Sequence, residues 1–149
     1  MNKTEFLDAL EKVFLSIEKQ IPNYMKNLED KSIAEGNVAV CIIDEDGQIY
    51  GKIYGDDKVK GRSFYKVAWT KASQVWITKK RTGEFEELVF AGKLDDKQFG
   101  IERPDFIGWE GGQPIQLGDK NLAVGFSGFR GVVDLEIVVN AINDTMNKS

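Results

Sequence analysis

Apolar residues recur every three or four positions from Phe6 to Ile21, with Phe6, Leu10, Val13 and Ile17 joined by Leu7, Phe14 and Ile21. That period puts them on one face of an amphipathic helix. Asn2, followed three positions later by Glu5, supplies an N-cap pair, and Pro22 is expected to end the helix. Tyr24, Met25, Leu28 and Ile33 predict a second, weaker helix that reaches Glu35-Gly36. The period then changes. Every position from Val38 to Ile43 is apolar, the pattern of a strand covered on both faces and therefore central in its sheet. Asp46-Gly47 has hairpin-turn chemistry, and beyond it Ile49 and Ile53 alternate with Tyr50, Lys52 and Tyr54, so a second strand should pair antiparallel with the first.

Ser63 reads as the cap of a long helix with the inner stripe Phe64, Ala68, Ala72, Val75 and Trp76, ending in Lys79-Lys80-Arg81 and Gly83. Positive charge at that end complements the negative pole of the helix dipole. Residues 84–107 have no clear period: Leu88-Val89-Phe90 fits a short helix or a strand, while Gly92, Asp95-Asp96, Gly100 and Pro104 interrupt it. A loop of this length in a compact domain tends to carry function or to cover something. Pro114, Ile115 and Leu117 then flank Gly118-Asp119-Lys120-Asn121 with Leu122, Val124 and Phe126, a second hairpin. A last helix, from about Val132 to Met146, should turn Leu135, Val138, Val139 and Ile142 inward. Strands joined by hairpins give an antiparallel sheet, so the expected class is α+β with helices flanking the sheet, not a doubly wound parallel fold.

At 149 residues, 42% of them hydrophobic, the chain supports one core. A single domain is expected, with N-terminal helices over 1–35 and the core over 36–146. A net charge of −4 and a pI near 5.0 argue against nucleic acid, whose binding begins with clustered positive charge. Charges interrupt the first 22 residues too often for a secretory signal, and no run approaches the roughly 18 apolar residues of a membrane span. The single Cys cannot form an internal disulfide and suits a reducing cytoplasm. It lies in the first apolar strand, as Cys41, where a buried structural thiol is expected.

The chain contains no histidine, and this restricts it most. Ser-His-Asp and Cys-His catalysis are excluded, together with most zinc and haem ligand sets built on imidazole. An enzyme would have to work with carboxylates, Lys, Tyr or backbone groups, so no catalytic residue is assigned. Gly125-Phe126-Ser127-Gly128-Phe129 fails as a nucleophile elbow because Phe129 stands where the second Gly belongs. Asp44-Glu45-Asp46-Gly47 lacks the ligand spacing of a calcium loop. Glu84, Glu86, Glu87, Asp95 and Asp96 read as solvated loop carboxylates, and no metal site is expected.

Backbone chemistry remains. Gly111-Gly112 precedes a strand, and Ser127-Gly128 through Gly131 precedes a helix, where free amides offer an anion site at the helix N-terminus. Arg130 lies in the same turn and is a candidate for a bidentate carboxylate contact, with Arg62 as a second cation. The alternative is that these glycines only make turns.

Several of these residues, read together, resemble the GlcG/HbpS family, which includes haem-binding proteins and the C-terminal domain of PduO proteins. They are Val38 to Asp44 followed by Gly47, then Ala68 with Lys71-Ala72, Gly111-Gly112-Gln113-Pro114-Ile115, and Val124-Gly125-Phe126-Ser127-Gly128. The resemblance implies a profilin-like antiparallel sheet flanked by helices, assembly into a homo-oligomer, a site that includes Pro114 beside Gly111, Gly112, Ser127 and Gly128, and haem as a cofactor. The chain departs from the family at Phe64, where a Ser is usual, and in its acidic run, reduced to Asp134 and Glu136. It also lacks the His that some members place on iron, which leaves Tyr, Met, Cys or Thr. The expected function is non-catalytic binding of a small anionic ligand or tetrapyrrole. The alternatives are an oligomeric scaffold without ligand, and an enzyme for a small acid or haem working through Glu84, Glu110 and Asp44.

Overall fold

Asn2 opens the first helix as a capping box: its side chain accepts the Glu5 N–H at 2.9 Å, and the Glu5 carboxylate accepts the Asn2 N–H at 3.3 Å. The chain is described by a computed structural model over residues 1–103 and 105–147, which leaves Pro104 outside the described residues. Helices α1 (Lys3–Tyr24) and α2 (Leu28–Ala34) precede strands β1 (Val38–Ile43) and β2 (Ile49–Tyr54). Helices α3 (Lys58–Thr78) and α4 (Thr82–Phe90) and a 3-10 turn (Asp96–Phe99) follow, then β3 (Gly112–Leu117), β4 (Lys120–Ser127) and α5 (Gly131–Asn147).

The four strands form one antiparallel sheet in the order β2-β1-β4-β3. Both predicted hairpins are present, and β1 is central, as its unbroken apolar run requires. Alternate residues serve two cores. Val38, Val40, Ile42, Leu122, Val124 and Phe126 pack with α1 and α5 on one face, while Ala39, Cys41, Ile43 and Ala123 pack with Ala68, Ala72 and Val75 of α3 on the other. The α3 face is lined by small residues, so the helix lies close to the strands. Gly125, opposite Cys41 in the register, allows this: a Cβ there would collide with the backbone of Ala68 and Ala72. Its absent side chain serves helix–sheet packing. The arrangement is α+β with helices on both faces of the sheet, as the sequence pattern implied.

The structure corrects several local expectations. Pro22 does not end α1; it sits in the last turn, where its missing N–H costs one helical bond, and the helix closes through Met25 N–H to Ile21 C=O at 3.0 Å. Ser63 is not the cap of α3. Asp57 is, accepting the Lys60 N–H at 3.0 Å, so Ser63 lies in the second turn. Trp76 is on the outer side of α3 and donates its Nε1–H to the Asp44 carbonyl at 3.0 Å. Lys79 does end α3, in the left-handed conformation, but Gly83 belongs to the first turn of α4. The inward face of α5 is Val133, Ile137, Val138, Ala141 and Ile142, with Leu135 only half-buried and Val139 turned outward. Among the described residues no helix is long and apolar enough to cross a membrane.

Candidate ligand-binding site

The buried stripe of α3 contains a lysine. Ala68, Lys71, Ala72 and Val75 recur at helical spacing and face the sheet, so Lys71 is carried into the interior at 2% exposure. It is the only buried lysine among the described residues. Its Nζ donates to the Phe126 carbonyl at 2.8 Å, near the end of β4, and to Asp134 Oδ2 at 3.4 Å. Asp134, in the first turn of α5, is equally buried, and its Oδ1 accepts the Phe129 N–H at 2.9 Å. A carboxylate in that turn also meets the positive end of the α5 dipole. Burial moves both groups toward their neutral forms. It lowers Lys71 below the usual lysine value against the pull of Asp134, and raises Asp134 from 3.8 to about 7 against the pull of Lys71.

The segment leading into β3 forms a wall over this pair, held by polar clips. Gln74 exchanges two hydrogen bonds with the Ile107 backbone, at 2.9 and 2.7 Å. Thr82 Oγ1 donates to the Trp109 carbonyl at 2.6 Å and accepts the Gly112 N–H at 3.2 Å. Arg81 Nε lies 2.9 Å from both carboxylate oxygens of Glu110. Between this wall, α3 and the β4–α5 junction lies a cavity of about 370 Å³. Ile33, Phe64, Trp109 and Phe129 supply apolar walls; Lys71, Glu110, Ser127 and Asp134 supply polar groups.

Of the residues singled out from sequence, Ser127 and Gly128 line this cavity. Gly111 backs onto it, with φ +123°, and a Cβ there would come within 2.6 Å of Lys71 Nζ and 2.5 Å of the Phe126 carbonyl. Gly112 is packed beneath Thr82 and the Lys71 stem. Pro114 lies elsewhere, in a depression with Val75, Trp76 and Leu122. Arg62 is exposed near the start of α3 and is not a cavity residue. Arg130 is engaged by Asp30, a fully buried carboxylate that meets its Nη2 at 2.9 Å and its Nε at 3.1 and 3.2 Å. Asp30 also takes the Arg130 N–H at 2.9 Å. Two of the amides expected to bind an anion, those of Phe129 and Arg130, therefore hold the chain's own carboxylates Asp134 and Asp30.

Lys71, Asp134 and Glu110 carry the cavity's charge, and the Lys71–Asp134 pair did not stand out in the sequence. The signal was there: a lysine inside an apolar stripe, and an aspartate between Val133 and the inward Ile137. Cys41 is buried beside Tyr65, with Sγ to Oη 3.7 Å, and burial pushes its thiol up. The cavity residues include no His, Cys, Met or Tyr, the side chains that hold haem iron, so its donor set does not fit haem. No group of three or more His, Cys, Asp or Glu side chains suited to a metal occurs among the described residues.

No family model matches the sequence, and no curated protein matches it. Solved structures do match. A Klebsiella pneumoniae protein of family DUF336, ORFY, aligns with TM-score 0.67 and 20% identity over 94% of this chain and 89% of that one. A PduOC:heme complex aligns with TM-score 0.64 and 19% identity over 91% and 90%. HbpS aligns with TM-score 0.52 and 20% identity over 92% and 88%. At these identities it is the architecture that is shared, nearly end to end. The chain thus has the fold of the GlcG/HbpS-like proteins, as the glycine elements and the apolar β1 strand implied.

Proposed function

We propose that the protein is a non-catalytic binder of a small carboxylate-bearing molecule, held in the cavity above Lys71. One observation carries this reading: a lysine ammonium buried to 2% exposure lies at the floor of a cavity with apolar walls. An ammonium in a water-poor site attracts a carboxylate more strongly than one at the surface. Asp134 and the Phe126 carbonyl take two of its three N–H groups, and the third is left for a ligand carboxylate. The cavity, at about 370 Å³, is at the small end of the usual ligand range of about 300–1,000 Å³. Ser127 adds a hydroxyl, and Ile33, Phe64 and Trp109 cover an apolar tail. Haem has no part in this reading, because the cavity lacks an iron ligand. The buried, unpaired Cys41 fits a reducing cytoplasm, where we place the protein.

The test is a thermal-shift and tryptophan-fluorescence titration with small carboxylates, benzoate and pyruvate among them. The expected result is a saturable rise in Tm with a change in Trp109 emission, both lost in Lys71→Met and both kept in Arg62→Ala. No stabilisation by any carboxylate at millimolar concentration sinks the reading. A second reading, homo-oligomeric assembly, is favoured by Val59, Trp69, Trp76 and Ile77, exposed on the outer side of α3. Light scattering at micromolar concentration decides it, and a monodisperse monomer excludes it.

A further inference from the structure

Lys71 has the surroundings of a nucleophilic amine as well as those of a charge partner. It is desolvated, one carboxylate stands 3.4 Å from its Nζ, and the space beside it opens into the cavity. The other carboxylate of the cavity, Glu110, is held by Arg81. Asp134 is therefore the acid/base group in direct reach of the amine. A salt bridge with a purely structural role needs no adjoining cavity, and this one has it.

We propose that the cavity captures small 2-oxo carboxylic acids by reversible imine formation on Lys71 Nζ, with Asp134 as the proton carrier. The proposal rests on the reading of the cavity as a carboxylate site, and it narrows the ligand class to acids that also carry a carbonyl. In the first step the ammonium passes a proton to Asp134, and the free amine adds to the carbonyl carbon. Asp134 then mediates transfer of a proton from nitrogen to the former carbonyl oxygen, giving a carbinolamine. A further proton from Asp134 lets that oxygen leave as water while the C=N bond forms. The net change is ammonium plus carbonyl to iminium plus water, with no oxidant or reductant. The iminium keeps the charge the ammonium had, so the restored Asp134 carboxylate pairs with it. Burial, which lowers Lys71, favours the neutral amine that the first step needs.

The experiment incubates the protein with pyruvate near neutral pH, reduces with cyanoborohydride and maps the adduct by peptide mass spectrometry. Burial lowers the amine and so enlarges its neutral fraction relative to that of an exposed lysine, and the adduct should form on Lys71 before the exposed lysines and predominate there. Lactate, which has no carbonyl, should raise Tm and leave no adduct, and an excess of it should slow the pyruvate reaction. Lys71→Arg should keep the pyruvate-induced rise in Tm and lose the adduct; if that variant does not fold, the wild-type map and the lactate competition decide. Stabilisation by pyruvate without an adduct on Lys71, or an adduct spread evenly over exposed lysines, overturns imine capture and leaves carboxylate binding standing. No stabilisation by either acid, and no adduct, overturns both.

Discussion

Lys71 Nζ lies 3.4 Å from Asp134 Oδ2, and the two side chains, at 2% and 3% exposure, join α3 to the start of α5 across the end of β4. A buried pair of this kind contributes little net stability compared with a well-packed apolar pair, because desolvating both charges offsets their attraction. Its value is positional. The pair fixes where α5 begins and sets a charged floor under a cavity.

The pair should give stability a characteristic pH dependence. Asp134 is raised from 3.8 to about 7 in the folded protein. Between those values the folded state keeps a proton that the unfolded chain has released, so stability falls as pH rises through the window and levels off above it. Lys71 acts in the opposite sense at higher pH: the unfolded chain keeps its proton up to about 10.5 while the folded protein releases it earlier, so stability recovers as pH approaches that value. Asp134→Asn keeps an acceptor for the Phe129 N–H and removes the acid. Its Tm profile relative to wild type should lack the fall between pH 4 and 7, a difference on the order of 4 kcal/mol at most. Identical profiles for the two proteins would contradict the assignment.

Gly125→Ala should be among the most damaging single-methyl additions. The new Cβ meets backbone atoms of Ala68 and Ala72, which cannot rotate away as a side chain would. Overpacking of this kind costs about 1–3 kcal/mol, and the upper end is expected because both partners are main chain. Urea unfolding measures it. An unchanged midpoint would mean that α3 does not lie against Gly125 as described.

Arg130 separates the two accounts of the α5 N-terminus. If its guanidinium serves Asp30, Arg130→Ala leaves a fully buried carboxylate without its fork and lowers Tm, while carboxylates still stabilise the protein by the same increment. Arg130→Lys should not restore Tm fully, since an ammonium cannot make the bidentate contact. A variant with unchanged Tm that no longer responds to carboxylates would return Arg130 to the binding site.

Sequence periodicity determined much of this architecture. The six apolar residues from Val38 to Ile43 demanded a strand covered on both sides; two hairpin turns demanded antiparallel neighbours; Asn2 and Glu5 marked where α1 starts. These are local rules, and each holds whatever the rest of the chain does. Caps and helix faces were read less well. Asp57 is a better-placed acceptor than Ser63, and α5 shows its face only once the sheet it covers is in place. The charged pair at the centre of the site was decided by tertiary structure. Lys71 is 55 residues before Phe126 and 63 before Asp134, and only the order β2-β1-β4-β3, with α3 pressed against Gly125, brings it to them. Arg130 shows the converse: a cation beside a helix N-terminus looked free to bind an anion until the fold delivered Asp30 to it. Sequence spacing specifies which side of an element a residue takes; which charge lies opposite depends on contacts between distant segments.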